Sequence, residues 1–300
     1  MSLSSDTEQI KAGLVSPTKT GELRLVVASE FDIDTLTNAY NQARVDYIVP
    51  MPMNSARLQE YVDNYDVDLT RSVVAMLDDD ILGLAMLGVR SDHTWITRLG
   101  VLPNSRRMGA GEAMMRYCIA QSRDLGVDHI ILEVIENNVP AHRLFRKLGF
   151  EETRDLLILR RPPGPPEAEV PPYEVAMMGG THALALLRER RSRPSWLDEY
   201  RSLRNAGNLF ALTVELQNGG AGWLVYQSTV FQLGRLVPQT ERGNPYDVAQ
   251  TLCHALHSQH PIQDTKTENM PSDDPHLEGF KEMGYFESFR RIEMRLDLNA

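Results

Sequence analysis

A mixed α/β (α+β) fold in two successive units is predicted by three observations on the 300-residue chain. Between residues 94 and 160 the pattern runs strand, glycine-punctuated turn, helix, buried strand, helix, strand, an order that needs a sheet with parallel crossovers. The segment from Arg161 to Pro172 is too rich in proline for a helix or a central strand and reads as a semi-rigid extended linker. Across it, Pro103 and Pro238, Cys118 and Cys253, Phe145 and Phe280, and Gly149 and Gly284 each stand 135 positions apart, the mark of a duplication. The expected division is a flexible N-terminal tail (1–20), a first unit (21–160), the linker (161–172) and a second unit (173–300).

The most informative element is the run Gly100-Val101-Leu102-Pro103-Asn104-Ser105-Arg106-Arg107-Met108-Gly109-Ala110-Gly111, a strand feeding a turn that opens a helix. Glycines at 109 and 111 let main-chain N–H groups approach an anion, and the helix adds unpaired N–H groups and the positive end of its dipole. Arg106 and Arg107 add charge beside it. The bland alternative is an ordinary tight connection. Apolar Ala113, Met114, Tyr117, Cys118 and Leu125 then recur at helical spacing over 112–126, with Gly126 at the C-terminal cap. Residues 128–135 form a nearly continuous apolar run, expected of a central strand. Asn137-Asn138 can cap the next helix, Pro140 suits its first turn, Gly149 ends it and Phe150 begins a strand.

Two spaced motifs, Arg106-x-x-Gly109-x-Gly111 and Asn138-x-x-Ala141-x-x-Leu144-Phe145-x-x-x-Gly149-Phe150, resemble the acyl-CoA-binding core of the GNAT superfamily of N-acyltransferases. The resemblance covers roughly residues 22 to 160, with a strand at 22–28, helices near 31–44 and 54–64, and strands at 71–78, 81–90 and 94–102. It implies two tandem GNAT-like units, each a mixed, mostly antiparallel sheet with a splayed central parallel pair flanked by helices. It implies that loop 106–111 holds the pyrophosphate of acetyl-CoA. The splay falls between the strand ending at Val101 and the one through Glu133, with Leu99, Gly100 and Val101 offering main-chain partners. Asn138, Ala141 and Phe145 line the same channel.

In the family an amine attacks the thioester directly, so a base must take its proton. The strand 94–99 carries no acid, and the nearest is Glu133, whose burial would raise its pKa. Its structural alternative is a pair with an arginine such as Arg98. Relatives often place a tyrosine where this chain has Phe145, so His142, within a turn of it, is the candidate proton donor, unless it is simply a surface histidine. The acceptor side falls on the helical segment containing Tyr40, Asp46, Tyr47, Met51, Met53, Arg57, Tyr61 and Tyr65, of which Tyr47 and Arg57 are the candidate contacts.

At the 135-residue offset the second unit has lost this chemistry. Arg106, Gly109, Ala110 and Gly111 map to Glu241, Asn244, Pro245 and Tyr246, and Asn138 maps to Asp273, so no CoA is expected there. A net charge of −10 argues against a nucleic-acid partner. The run Arg188 to Arg193 reads as a solvated helix end. No apolar stretch reaches membrane-spanning length and residues 1–9 lack a signal-peptide core, so a cytoplasmic protein is expected. The two cysteines read as buried thiols, and no Cys/His spacing suggests a metal. The expected activity is transfer of an acetyl group from acetyl-CoA to a primary amine of a small molecule, with a homodimer allowed. The alternatives are an acyl-CoA-binding regulatory module, or acetylation of a protein or peptide amine.

Overall fold

The computed structural model describes residues 21–299, so the expected N-terminal tail lies outside the described residues. The first half comprises β1 (Leu23–Val27), α1 (Ile33–Gln42), α2 (Ser55–Asn64), β2 (Val73–Leu77), β3 (Asp80–Val89), β4 (His93–Val101), α3 (Ala110–Asp124), β5 (His129–Ile135), α4 (Val139–Lys147) and β6 (Glu151–Arg161). Side chains set the first two helix starts: Asp32 accepts from the Thr35 N–H and Asn54 from the Arg57 N–H. All five residues of β2 are buried because helices cover both faces. Val73, Ala75 and Leu77 join the core beneath α3, whereas Val74 and Met76 join the core beneath α1 and α2.

The second half repeats the plan with β7 (Tyr173–Met178), α5 (Gly180–Arg188), α6 (Tyr200–Ala206), β8 (Leu209–Leu216), β9 (Ala221–Ser228), β10 (Gln232–Arg242), α7 (Pro245–Gln259), β11 (Asp264–Pro271), α8 (Leu277–Glu282) and β12 (Phe286–Asp297). Cys118 on α3 and Cys253 on α7 are buried free thiols at matching places.

The two halves share one 12-stranded sheet, ordered β1-β2-β3-β4-β5-β12-β6-β11-β10-β9-β8-β7. Each half lends its last strand to the other: β12 pairs with β5, and β6 pairs with β11. The exchanged strands run antiparallel side by side, with Leu156 opposite Arg291. These two positions are themselves 135 residues apart, so a pseudo-twofold axis passes between them.

Two stretches depart from the sequence expectation. The proline segment is not an extended spacer but bends over Arg161, whose guanidinium donates to the carbonyls of Pro162, Gly164, Pro165 and Met283. A buried fork with several donors gathers a chain that has few N–H groups of its own to spend. The basic run is likewise not merely solvated. Arg190 donates to the Asp198 carbonyl, Arg191 pairs with Glu241, and Arg193 reaches Glu293. The segment that follows inserts Trp196 and Leu197 into the first half's core, where Trp196 stacks on Trp95 with centroids 5.5 Å apart. Burying roughly 200 Å² of indole contributes about 5 kcal/mol before ordering costs. Arg90 lies 3.8 Å over the Trp196 ring and bonds Asp66, Ser202 and Glu199, fixing the segment across the halves.

Candidate active site

β4 and β5 run parallel and paired from His93 opposite His129 to Ile96 opposite Leu132, and then part. The parting begins where β4 bulges: Thr97 pairs with Met86 but Gly100 with Leu84, and Arg98 within the bulge has a left-handed φ of 53°. Into the gap opens a cavity of about 680 Å³. Its floor includes Thr97, Arg98 and Leu99 on β4 and Leu132 to Ile135 on β5. Gly100 and Val101 instead continue the pairing with β3, opposite Leu84 and Gly83. Asn138, Ala141 and Phe145 of α4 form one wall, and Tyr47, Met51, Met53, Arg57 and Tyr61 another. The Asn138 side chain does not cap α4. It reaches across the cleft to the Tyr47 hydroxyl at 3.4 Å.

The α3 N-terminus is open. The N–H groups of Arg107, Met108 and Gly109 donate to no protein acceptor among the described residues, and the first intrahelical bond is from Ala113 to Gly109. Arg107 and Gly109 have φ of 70° and 84°, conformations that turn successive N–H groups into one concavity suited to an anion. A Cβ at Gly109 would meet nothing within 4 Å, so glycine is required there by the backbone alone. At Gly111 it would point inward, 3.5 Å from Val101 and 3.7 Å from Leu144, so that glycine does not serve the outward face of the loop. Ala110 is buried and Met108 exposed beside it. Arg106 does not stand free: both its terminal nitrogens bind Asp46, at 2.7 and 2.6 Å. Arg107 is exposed.

The equivalent place in the second half is closed. β10 continues to Arg242 against β9, Asn244 caps α7 by accepting from the Tyr246 N–H, and Pro245 removes a donor. The splay of β10 from β11 survives, beginning after Gly234. Without a loop of free N–H groups it has no phosphate cradle.

Glu133 projects into the cleft from β5. Its carboxylate accepts from Asn269 at 2.8 Å and pairs with Arg291 at 3.4 Å, not with Arg98. Burial, with Glu293 and Glu268 nearby, outweighs Arg291 and pushes its pKa up to about 7. Glu268 is its counterpart 135 positions on, and binds the same guanidinium at 2.9 Å. Arg291 and Lys266 hold the Glu268 carboxyl far below the usual range. Two duplicated glutamates thus carry opposite shifts around one arginine. His142 is elsewhere: it lies outside the cleft lining and bonds Glu152 on the surface at 2.9 Å. Position 142 shares the helix face of 138, 141 and 145, but the His142 ring is turned away from the cleft toward Glu152 on β6.

The second half supplies what the first half's sequence could not announce. Leu197, Thr229, Phe231, Gln232, Arg235 and Glu268 all line the cavity. Arg98 and Arg235 occupy equivalent strand bulges, each with φ 53° and each followed by leucine. That repeated Arg-Leu pair is 137 positions apart and escapes an ungapped offset of 135. Among the described residues, no group of three or more His, Cys, Asp or Glu side chains is placed to hold a metal ion.

A bulged β4, a splayed parallel pair and an open α3 N-terminus are the features that the motifs implied. Residues 36–150 match the model of the acetyltransferase (GNAT) family, and the first half is a domain of that family. A stretch of 97 residues is 31% identical to streptothricin acetyltransferase of Streptomyces lavendulae, spanning 31% of this chain and 50% of that enzyme. Another of 108 residues is 30% identical to the L-amino acid N-acetyltransferase AaaT of Escherichia coli K12, spanning 34% of this chain and 65% of that one. The chain therefore spans only half to about two thirds of these relatives' lengths. Over 92% of its length it shares its fold with a tandem GNAT protein from the clavulanic acid biosynthesis pathway, at TM-score 0.62 and 13% identity over 98% of that chain.

Proposed function

We propose that this chain transfers an acetyl group from acetyl-CoA to the primary amine of a small molecule, by direct attack in the first half. The observation that carries the reading is Glu133, a carboxyl in the splay whose pKa burial pushes up to about 7, in a half whose α3 N-terminus keeps free N–H groups. Acetyl-CoA supplies an activated acetyl thioester. The N–H groups of residues 107–112 suit its pyrophosphate, and the splay suits the pantetheine arm. Glu133 takes the proton from the attacking amine, directly or through water, and its raised pKa makes it a competent base near neutrality. Phe145 cannot donate a proton and His142 lies outside the cleft, so the thiolate departs without either; a thiol of ordinary pKa is a tolerable leaving group. Tyr47 and Arg57, both on the wall, are the proposed acceptor contacts. The name of the Escherichia coli relative, an amino acid acetyltransferase, fits a small acceptor.

Calorimetric titration should show one acetyl-CoA site per chain. Glu133→Gln should lower kcat by roughly 10²–10³ while acetyl-CoA still binds. Binding without turnover on any amine would instead favour the acyl-CoA-binding module, and absence of binding would overturn both.

A further inference from the structure

The cleft is cationic in a chain whose net charge is −10. Arg44, Arg57, Arg98, Arg235 and Arg291 line it, against Glu60, Glu133 and Glu268. Three of these arginines are accounted for. Arg291 is held by Glu268 and Glu133, Arg235 donates to Gln227 and faces the Tyr65 ring, and Arg57 is exposed on α2. Arg44 and Arg98 are not. Among the described residues neither has a carboxylate within ion-pair distance, and the Nε of each is buried without an acceptor. Among the described residues the Arg44 guanidinium has no acceptor, and it lies against the Tyr40 and Tyr47 rings, at 4.6 and 4.7 Å. Arg98 gives a single N–H to the Tyr40 hydroxyl at 3.0 Å and stacks 3.9 Å over Tyr61.

Two guanidinium groups sharing one tyrosine repel each other, and burial together with Arg98 holds Arg44 below the usual guanidinium range. Aromatic faces compensate only part of that cost. Arg98 also pays for a left-handed backbone to reach this place, the kind of strain that persists where a site requires it. The bulge has a directional effect. Leu99 packs toward the α3 core, and Arg98 emerges on the opposite face, under α1 and α2.

We infer that the acceptor bears a carboxylate as well as its amine, and that Arg44 and Arg98 bind this carboxylate while Glu133 faces the amine. The inference rests on the transferase reading and specifies its substrate class. Planar forks with free donors match a carboxylate in two-point fashion, and a zwitterion spanning the cleft would meet cations at the β4 wall and an acid at the β5 wall.

The full chain should be assayed with acetyl-CoA and the protein amino acids, each beside its carboxamide and its decarboxylated amine, and with O-phosphoethanolamine. An amino carboxylate should exceed its amide and bare amine by roughly 10–100-fold in kcat/KM. Arg44→Met and Arg98→Met should each raise the acceptor KM more than they lower kcat and bring the acid-to-amide ratio toward one, with partial return in Arg98→Lys. Equal use of acids and bare amines by the unaltered protein, a preference for the phosphate, or variants that weaken acetyl-CoA binding as much as acceptor binding would overturn the assignment. Calorimetry of the same acceptors in the presence of CoA separates the two readings. Uptake of carboxylates that is lost in Arg98→Met, with no transfer to any amine, upholds the carboxylate site and overturns the transferase. No carboxylate preference in either assay overturns the site.

Discussion

At the scale of single residues, Glu133 shows how position changes the titration of an ordinary side chain. Its pKa of about 7 is the balance of burial against Arg291, so the arginine tunes the carboxyl as well as holding it. Arg291→Met should therefore move the acidic limb of the kcat/KM profile to higher pH. It should also destabilise the fold, since Glu133 and Glu268 would lose the guanidinium they share while Lys266 still holds Glu268; pH-rate profiles and urea melts read the two effects separately. The raised pKa of Glu133, and of buried Asp198 at about 6, carries a stability consequence of fixed sign. Both groups fold most favourably when protonated, so their contribution is complete below the ordinary carboxylate range and is lost as pH rises toward and past 7. Glu133→Gln should flatten the fall in stability between about pH 4 and 7, and a melt series across that window that keeps the unaltered slope would contradict it.

At the scale of elements, the duplicated strand-to-helix connection separates a ligand cradle from a closed turn. In the first half, eight residues lie between β4 and α3, and the loop leaves N–H groups unpaired. In the second half, two residues separate β10 from α7, and Asn244 fills the helix end. Both halves keep the helix, so the cradle depends on the slack before it. The two glycines of the first loop should behave differently. Gly109→Ala must hold alanine at φ 84° and should cost about 1 kcal/mol or more together with acetyl-CoA affinity. Gly111→Ala adds a Cβ at ordinary contact distance from Val101 and Leu144 and should change acetyl-CoA affinity only a few-fold at most, measured by titration.

At the scale of the molecule, strand exchange makes the halves one body. β12 closes the β5 edge and carries Arg291 to Glu133, while β6 closes the β11 edge. Arg90 and Trp196 add a buried contact between the halves on the α2 side of the sheet. Urea unfolding should accordingly follow one transition, coincident by far-UV circular dichroism and tryptophan fluorescence. A second-half transition separate from that of the first would show that the exchanged strands do not couple them.

The local pattern of this chain was legible from its residues. The helix after the glycine turn, the buried strand through Glu133, the duplication and the closed turn of the second half all follow from short-range periodicity, turn chemistry and residue type. Glu133 was identifiable as an acid on a strand with no solvent face, because burial follows from a continuous apolar run. What the linear chain could not show was the company it keeps. Arg291 reaches Glu133 because β12 crosses into the first half's part of the sheet, Asn269 and Glu268 come near on β11, which pairs with the exchanged β6, and an antiparallel pairing leaves no mark on either strand about which edge it will join. Arg190 and Arg191 found their partners within the second half, and Arg193 found Glu293 on the exchanged strand β12. Sequence fixes what each segment becomes locally; the exchange of the last strands, decided by edge pairing across 135 residues, decides which groups meet in the cleft.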